Sequence, residues 1–364
     1  MTEKTEPTYD TVTIKDIAAR LKVSSVSVHR ALSNKDGVSD ILRKKILETA
    51  QEMGYEINYA AASIKRKPCR MAIVMPQDEG LYFSCIWEGV RAGSKEAKGL
   101  NVEVKEIYCR DEQHQYELLK QIADTEGEYT GVVTFSYTRS PKVLMQLQRL
   151  VSQKITTVVV DDELKEPEGL YCIPSNEKVL GRVAGEFISL ITPEIGTVLV
   201  SEGRPDSKTH INKIKSFIES IAEKKTGLKV QVVTGYSNKP GLEEMVCNAL
   251  KKAYLQYPDT VAAYALTSHD NDLMVRAAEE TGVANHVAIV GTDLNDMTAC
   301  LLQQGKIKAV INQAAYAKGY ASLQILVERI VKNIEPPQRV DCPIDIVLSS
   351  NLGFYRSSDK MTWR

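Results

Sequence analysis

Polar and aromatic side chains follow the ends of apolar runs throughout the larger, C-terminal part of this sequence. They are Phe83, Tyr137, Asp161, Lys213, Tyr236, Asn271, Asp293 and Gln313. Carboxylates, amides and a cation can hydrogen-bond vicinal hydroxyls, and aromatic faces can pack against the C–H face of a sugar or cyclic polyol. This set of residue types therefore predicts a site for a small polyhydroxylated ligand.

A second group of residues with binding chemistry lies near the N terminus, in the stretch TIKDIAARLKVSSVSVHRAL, residues 13–32. Its second helical pattern begins after the N-cap residue Ser24 and has two faces. One face is apolar, with Val28, Ala31 and Leu32, and the other carries Ser25, Val26, His29 and Arg30. We expect these four side chains to meet base edges of DNA, while Lys15, Ser24 and Ser39 help to hold phosphates.

Three short helices position that face. Thr13 and Asp16 form a capping-box pattern before the first helix, and Ser39 can cap a third helix that ends near Gly54. Only the tripeptide 21–23 separates the first two helices, so we expect them to cross near a right angle. This geometry turns the polar face of the second helix outward, as entry into a major groove requires.

The stretch from Val12 to Asn58 resembles the DNA-binding headpiece of the lactose-repressor/galactose-repressor (LacI/GalR) family. The resemblance is carried by Val12-Thr13-Ile14, Asp16-Ile17-Ala18, Val23-Ser24, Val28, Arg30-Ala31-Leu32, Val38-Ser39 and Gly54-Tyr55. Three positions depart from the family. Lys22 replaces the usual turn glycine, which predicts a left-handed backbone on a non-glycine residue, while His29 replaces the usual Ser and Ile57 the usual Pro.

The segment NYAAASIKRKPC joins this headpiece to the rest of the chain. The resemblance implies a hinge helix that folds in the DNA minor groove beside its dimer mate, with Ile64 as the apolar wedge where the family has Leu. The alternative to a hinge helix is that this segment is a solvated basic linker.

Charge is distributed unevenly along the 364 residues. Residues 11–67 carry eleven Lys or Arg against six Asp or Glu, a net of +5, although the whole chain has a net charge of −1. A basic N-terminal segment followed by an acidic remainder is typical of a nucleic-acid-binding domain joined to another domain. The seven cysteines are scattered with no CxxC pair, and neither a signal sequence nor a membrane span is recognisable, so we expect a cytoplasmic protein without disulfides or zinc.

Apolar runs alternate with helical patterns from Met71 onward. The sequence predicts an all-α helix-turn-helix headpiece plus α/β architecture, with two doubly wound parallel-sheet subdomains. The resemblance extends here to periplasmic-sugar-binding-protein-like effector domains, and it implies ligand roles for Asp161, Tyr236, Asn271, Asp293 and Gln313. Lys213 lies where the family usually has Arg, which removes a bidentate donor.

The expected boundaries follow from these patterns. The headpiece covers residues 11–57, the hinge 58–68 and the effector-binding and dimerisation domain 69–356. Within the last, the N-subdomain takes 69–174 and 315–340, and the C-subdomain takes 175–314 and 341–356.

These features favour a homodimeric, ligand-responsive regulator that binds double-stranded operator DNA at a pseudo-palindrome. The effector is expected to be a sugar or polyol, with no cofactor, no metal and no membrane partner. Repression of sugar or polyol uptake or catabolism genes is the implied role. A non-sugar effector stays open, as do, with less support, a sugar-binding enzyme and a solute-binding protein. Neither GxSxG, GxxxxGK[ST], HExxH nor a GxGxxG after the first strand is present.

Overall fold

The computed structural model describes residues 12–33, 35–55, 59–63, 66–77, 81–135, 140–164, 169–205, 207–224, 227–235 and 241–356, without the side chain of residue 62. The chain divides into two compact units. The first contains residues 1–67 with Val331–Asn333, and the second contains the remainder, called the body below.

The first unit contains the three helices α1 (Ile14–Leu21), α2 (Ser25–Leu32) and α3 (Asp40–Glu52). Ile17, Val28 and Ile46 contribute one fully buried side chain from each helix to a shared core. The capping predicted for α1 is confirmed, because the backbone N–H and the hydroxyl of Thr13 both donate to the Asp16 carboxylate, at 2.7 and 2.6 Å.

A short fourth helix, α4 (Tyr59–Ser63), lies in the predicted hinge segment. Its five residues are too few for a helix that is stable alone in water. Ile64, the predicted wedge, lies outside the described residues.

The first half of the body is built on a five-stranded parallel sheet with the order β2-β1-β3-β4-β5. Its strands are β1 (Cys69–Met75), β2 (Val102–Tyr108), β3 (Gly131–Phe135), β4 (Thr156–Val160) and β5 (Leu170–Ile173). The helices in this part of the chain are α5 (Tyr82–Ala97), α6 (Glu112–Asp124) and α7 (Pro141–Ser152). The central strands β1, β3 and β4 are almost wholly buried, as helix-covered parallel strands should be.

The second half has a six-stranded sheet with the order β11-β10-β9-β8-β6-β7. Its strands are β6 (Ile195–Ser201), β7 (Gly227–Val233), β8 (Thr260–Tyr264), β9 (Ala288–Thr292), β10 (Ala309–Asn312) and β11 (Asp345–Val347). The helices are α8 (Glu177–Ile191), α9 (Lys208–Lys224), α10 (Glu243–Gln256), α11 (Asn271–Glu280), α12 (Asp296–Gln303) and α14 (Leu352–Arg356). The doubly wound architecture predicted from the sequence is confirmed.

Two strands were missed by the sequence analysis, and one of them departs from the expected parallel pattern. The four-residue β5 is short, while β11 contributes only three residues and pairs antiparallel with β10. Such short strands at sheet edges give little periodicity to recognise.

Helix α13 (Ala315–Leu326) returns to the first half after every strand of the second sheet except β11. Glycines allow α5 and α13 to approach closely: a methyl group on Gly89 would overlap the carbonyl oxygen of Tyr316, and one on Gly319 would overlap that of Ile86. The two helices therefore touch through their backbones.

Candidate functional site

The turn between α1 and α2 sets the exposed face of the headpiece. Lys22 adopts the left-handed conformation predicted for it, with φ 53° and ψ 43°. Beyond it, the N–H of Val23 donates to the carbonyl of Ala18 at 3.0 Å, which closes α1. The chain can then start α2 at once, with Ser24 accepting from the N–H of Ser27 at 3.0 Å.

The outward face of α2 carries the four side chains predicted to read bases. Ser25, His29 and Arg30 are exposed, and Val26 is 60% exposed although it is apolar. An exposed polar face with one protruding aliphatic group suits hydrogen bonds to base edges and contact with a thymine methyl group.

Of the three residues predicted to hold phosphates, Lys15 is exposed. The structure gives Ser24 and Ser39 a capping role, because their hydroxyls accept backbone N–H groups at the starts of α2 and α3. A hydroxyl that caps a helix can also contact a phosphate. Phosphate binding by Ser24 and Ser39 therefore stays a prediction.

Arg43 on α3 was missed by the sequence analysis. Its guanidinium donates to the carbonyls of Arg30, Ala31 and Lys35, at 3.4, 3.3 and 2.7 Å. These carbonyls lie at and beyond the C-terminal end of α2, so Arg43 holds that end of the helix in place. An arginine in a basic run gives no sequence signal for such a contact.

In the body, polar side chains from both halves meet where the strands end. The centre of this arrangement is Lys318, which is 1% exposed on α13. Its Nζ donates to Oδ1 of Asp161 at 2.6 Å, to the hydroxyl of Ser175 at 2.6 Å and to that of Tyr82 at 3.0 Å. We call Tyr82, Asp161, Ser175, Gln313 and Lys318 the Lys318 cluster.

Asp293 is joined to this cluster from the second half of the body. The side-chain amide of Gln313 donates to Oδ1 of Asp293 at 2.8 Å, and the hydroxyl of Ser175 lies 3.0 Å from the Gln313 amide oxygen. Burial raises the pKa of Asp293, while the positive charge of Lys213 opposes that rise. Burial also raises the pKa of Tyr82 well above its usual range, and the Asp161 charge adds to this effect.

Lys213 is also buried, at 3% exposed, on α9. Its Nζ donates to the carbonyl of Leu266 at 3.2 Å, and its charge interacts with those of Asp293, Lys318 and Asp161. Burial lowers its pKa. Gly181 on α8 lets that helix approach α9 closely at Lys213, because a methyl group there would overlap the Lys213 carbonyl oxygen.

Asn271, predicted as a ligand contact, is fully buried with its amide engaged on both sides. Its Nδ2 donates to the Thr292 carbonyl at 2.7 Å, and its Oδ1 accepts the Thr292 N–H at 3.0 Å. These bonds hold the backbone one residue before Asp293. The structure thus gives Asn271 a positioning role.

Three aromatic residues were predicted to contact the ligand, and Phe83 is the one among the described residues. Phe83 lies beside the cluster, in edge-on contact with Tyr82 at 5.4 Å between ring centroids and with Phe135 at 5.1 Å. Tyr137 and Tyr236 lie outside the described residues.

Three members of the Lys318 cluster were not among the predicted site residues, namely Tyr82, Ser175 and Lys318. Tyr82 could have been identified from the sequence, since it follows the first strand and directly precedes the predicted Phe83. No sequence pattern pointed to Lys318, because it lies in the first turn of α13 and its partners Tyr82, Asp161 and Ser175 are at least 143 residues away in the chain.

Other features of the body lie apart from this site. A groove of about 410 Å³ runs between α9 and β7, lined by Ile211, Ile214, Ile218 and Val232 among others, and includes none of the described residues predicted to bind ligand. Within the described ranges, no three His, Cys, Asp or Glu side chains are grouped to hold a metal ion. No helix among the described residues has the length and apolar character to cross a membrane.

Family models match both parts of the chain. Residues 13–58 match the model described as bacterial regulatory proteins, lacI family, and residues 71–333 match the periplasmic binding protein domain.

Curated relatives are named as regulators of transcription. The chain is 22% identical over 339 residues to the ribose operon repressor of Lactococcus lactis, covering 92% of this chain and 96% of that protein. It is 29% identical over 162 residues to the HTH-type transcriptional regulator RegA of Clostridium acetobutylicum, covering 43% of this chain and 46% of that protein. It is 32% identical over 127 residues to the probable HTH-type transcriptional repressor ExuR of Bacillus subtilis, covering 34% of this chain and 36% of that protein. The last two alignments span less than half of each relative.

Solved structures share the fold of the body. A putative LacI transcriptional regulator from Bacteroides fragilis matches with a TM-score of 0.68 at 16% identity, covering 79% of this chain and 100% of that one. GanP, a glucose-galactose binding protein from Geobacillus stearothermophilus, matches with a TM-score of 0.67 at 18% identity, covering 79% of this chain and 99% of that one. The chain belongs to the periplasmic binding protein domain family through residues 71–333, and at residues 13–58 it carries the domain of the bacterial regulatory proteins of the lacI family.

Proposed function

We propose that the protein is a ligand-responsive, DNA-binding transcription regulator that represses genes for the uptake or catabolism of a sugar or polyol. The observation that carries the DNA-binding part is the exposed α2 face, with Ser25, Val26, His29 and Arg30. The lacI-family match over the same helices and the names of the curated relatives support it. A regulator that acts on operator DNA works in the cytoplasm, and the proposal therefore includes that location.

The effector part rests on the polar groups gathered at the strand ends of the body. Asp161, Asp293 and Gln313 offer carboxylate and amide groups suited to vicinal hydroxyls, and Phe83 and Tyr82 offer ring faces beside them. Ligands of doubly wound sheets bind at this edge. The names of matched structures, such as the glucose-galactose binding protein, support a sugar.

A homodimer completes the proposal. One headpiece reads only half of an operator, and the hinge helix α4 is too short to be stable without a partner. Two-fold symmetry in the protein requires a pseudo-palindrome in the DNA. A stable monomer at micromolar concentration in sedimentation experiments, with and without operator DNA, would contradict this part.

Footprinting of the DNA upstream of the gene and of neighbouring transport genes tests the regulator. We expect protection of one pseudo-palindromic site, and we expect addition of the correct sugar to change affinity for it by at least tenfold. Uniform binding to all fragments, with no protected site, would contradict the assignment.

A further inference from the structure

Two lysines are buried at the strand ends of the body, and their surroundings differ. Lys318 makes an ion pair with Asp161 and donates to two hydroxyls. Lys213, equally buried, donates to one backbone carbonyl and has no carboxylate within 4.0 Å among the described residues. Asp161 thus compensates the charge of Lys318, whereas among the described residues Lys213 has one backbone carbonyl as its hydrogen-bond partner.

A buried ammonium is costly unless an anion or several hydrogen bonds compensate for the lost water. The neighbourhood of Lys213 on its own side is positive. Burial, together with the charges of Lys213 and Arg204, lowers the pKa of His210, one turn earlier on α9, to about 3. His210 is therefore neutral near pH 7, and Arg204 is a second positive charge acting on this end of α9.

The nearby carboxylates are committed elsewhere or weakly charged. Lys318 neutralises Asp161, and Asp293 accepts from Gln313. Asp293 is the carboxylate whose charge acts most on Lys213, but burial raises the pKa of Asp293 and lowers that of Lys213, and no ion pair within 4.0 Å joins the two, so neither charge is fully compensated. A negative group brought by a ligand would meet the least repulsion beside Lys213.

We propose that the effector is an acidic sugar, whose carboxylate or phosphate group lies against Lys213 while its hydroxyls bind Asp293, Gln313 and Asp161. This inference rests on the proposed sugar-responsive function and narrows its ligand class. Lysine suits either anion because its ammonium is a point charge with three donors and does not require a planar partner.

Matched ligand pairs test the proposal on the full-length protein by calorimetry. The probes are D-glucose with D-glucuronate and D-glucose 6-phosphate, D-galactose with D-galacturonate and D-galactose 6-phosphate, and sorbitol with D-gluconate. We expect at least one acidic member to bind ten times or more tightly than its neutral parent. The carboxylate and phosphate arms identify which anion fits.

Variants assign the preference to Lys213. Lys213→Gln should remove most of the discrimination between the acid and its parent, and Lys213→Arg should retain at least part of it. Lys215→Gln is the matched control, since Lys215 lies on the same helix but is exposed. Thermal unfolding without ligand checks that each variant is folded.

The outcomes separate the two proposals. Tighter binding of a neutral sugar than of its acids overturns the acidic-sugar inference and leaves the sugar-responsive function in place. Equal discrimination in wild type and Lys213→Gln overturns the role of Lys213. Absence of binding by every probe counts against both proposals.

Discussion

Asp161 and Asp293 occupy matching positions in the two halves of the body. Each follows a parallel strand directly, with φ of 66° and 61°, and each donates its backbone N–H to the neighbouring strand, to Ile173 and Ile311. A left-handed backbone is costly for a residue other than glycine, and such costs cluster at binding sites. Each half thus presents one strained carboxylate at its strand end.

Asp293→Asn is expected to weaken binding of the effector sugar by at least tenfold, because the amide replaces a strong acceptor of ligand hydroxyls. Stability should not fall, since the change removes a buried carboxylate whose pKa burial raises. Calorimetry and thermal unfolding measure the two effects. Asp296→Asn, at an exposed position of α12, is the control, and undiminished affinity in Asp293→Asn would remove this residue from the site.

Arg30→Ala is expected to weaken operator binding by about 1 to 3 kcal/mol, and binding to random DNA much less, because a base-edge contact is lost. Fluorescence anisotropy on both DNAs measures the difference. Lys120→Ala removes one exposed positive charge from the body and serves as the control. Equal losses on the two DNAs would show that Arg30 contacts only phosphate.

Lys22→Gly is expected to stabilise the first unit by roughly 0.5 to 1 kcal/mol. The left-handed conformation of Lys22 costs about 1 to 2 kcal/mol, and the greater freedom of glycine in the unfolded chain offsets part of this gain. Hydrogen exchange of the α1 amides reports the change. Lys35→Gly, at a loop position without a positive φ, should give no gain, and slower exchange in both variants would contradict the explanation.

Acid should destabilise the body through His210. Burial, with the charges of Lys213 and Arg204, lowers its pKa from 6.5 to about 3, so the stabilisation it provides is complete above pH 6.5 and is lost as the pH falls toward 3. One such group gives a slope of about 1.4 kcal/mol per pH unit.

Comparison with His210→Asn isolates that slope, because the raised pKa values of Asp270 and Asp293 act in the opposite direction in both proteins. Urea unfolding between pH 7 and 4 provides the data. His286→Asn, at an exposed position, should behave as wild type. Parallel pH profiles for wild type and His210→Asn would exclude this role.

Gly89→Ala is expected to destabilise the body by about 1 to 3 kcal/mol or more, because its methyl group would push α5 away from the backbone of α13. Gly353→Ala is the control, since nothing lies within 4 Å of the position of its methyl group. Urea unfolding measures both. A neutral effect of Gly89→Ala would mean that the helices can separate at little cost.

The periodic parts of the sequence predicted most of the fold. Helices α1 to α3 carry their own caps and apolar faces, and the long buried strands are continuous apolar runs. The edge strands β5 and β11 were missed because three or four residues give no periodic signal.

The site was predictable only where its residues follow strands. Asp161, Asp293 and Gln313 lie at strand ends, which parallel topology brings to one edge of each sheet. Lys318 and Arg43 act through the tips of long side chains in the first turns of α13 and α3, and their partners lie on other segments of the chain. The engaged amide of Asn271 could not be foreseen, because its partner is backbone.

The packing of α5 against α13 also bears on biosynthesis. Gly89 leaves the ribosome more than two hundred residues before Gly319, a delay of roughly 10 to 50 s at ordinary translation rates. During that time the first sheet lacks one of its covering helices and exposes apolar surface. The first half can reach its final form only when nearly the whole chain has been made, so the nascent protein is expected to depend on chaperones in this interval.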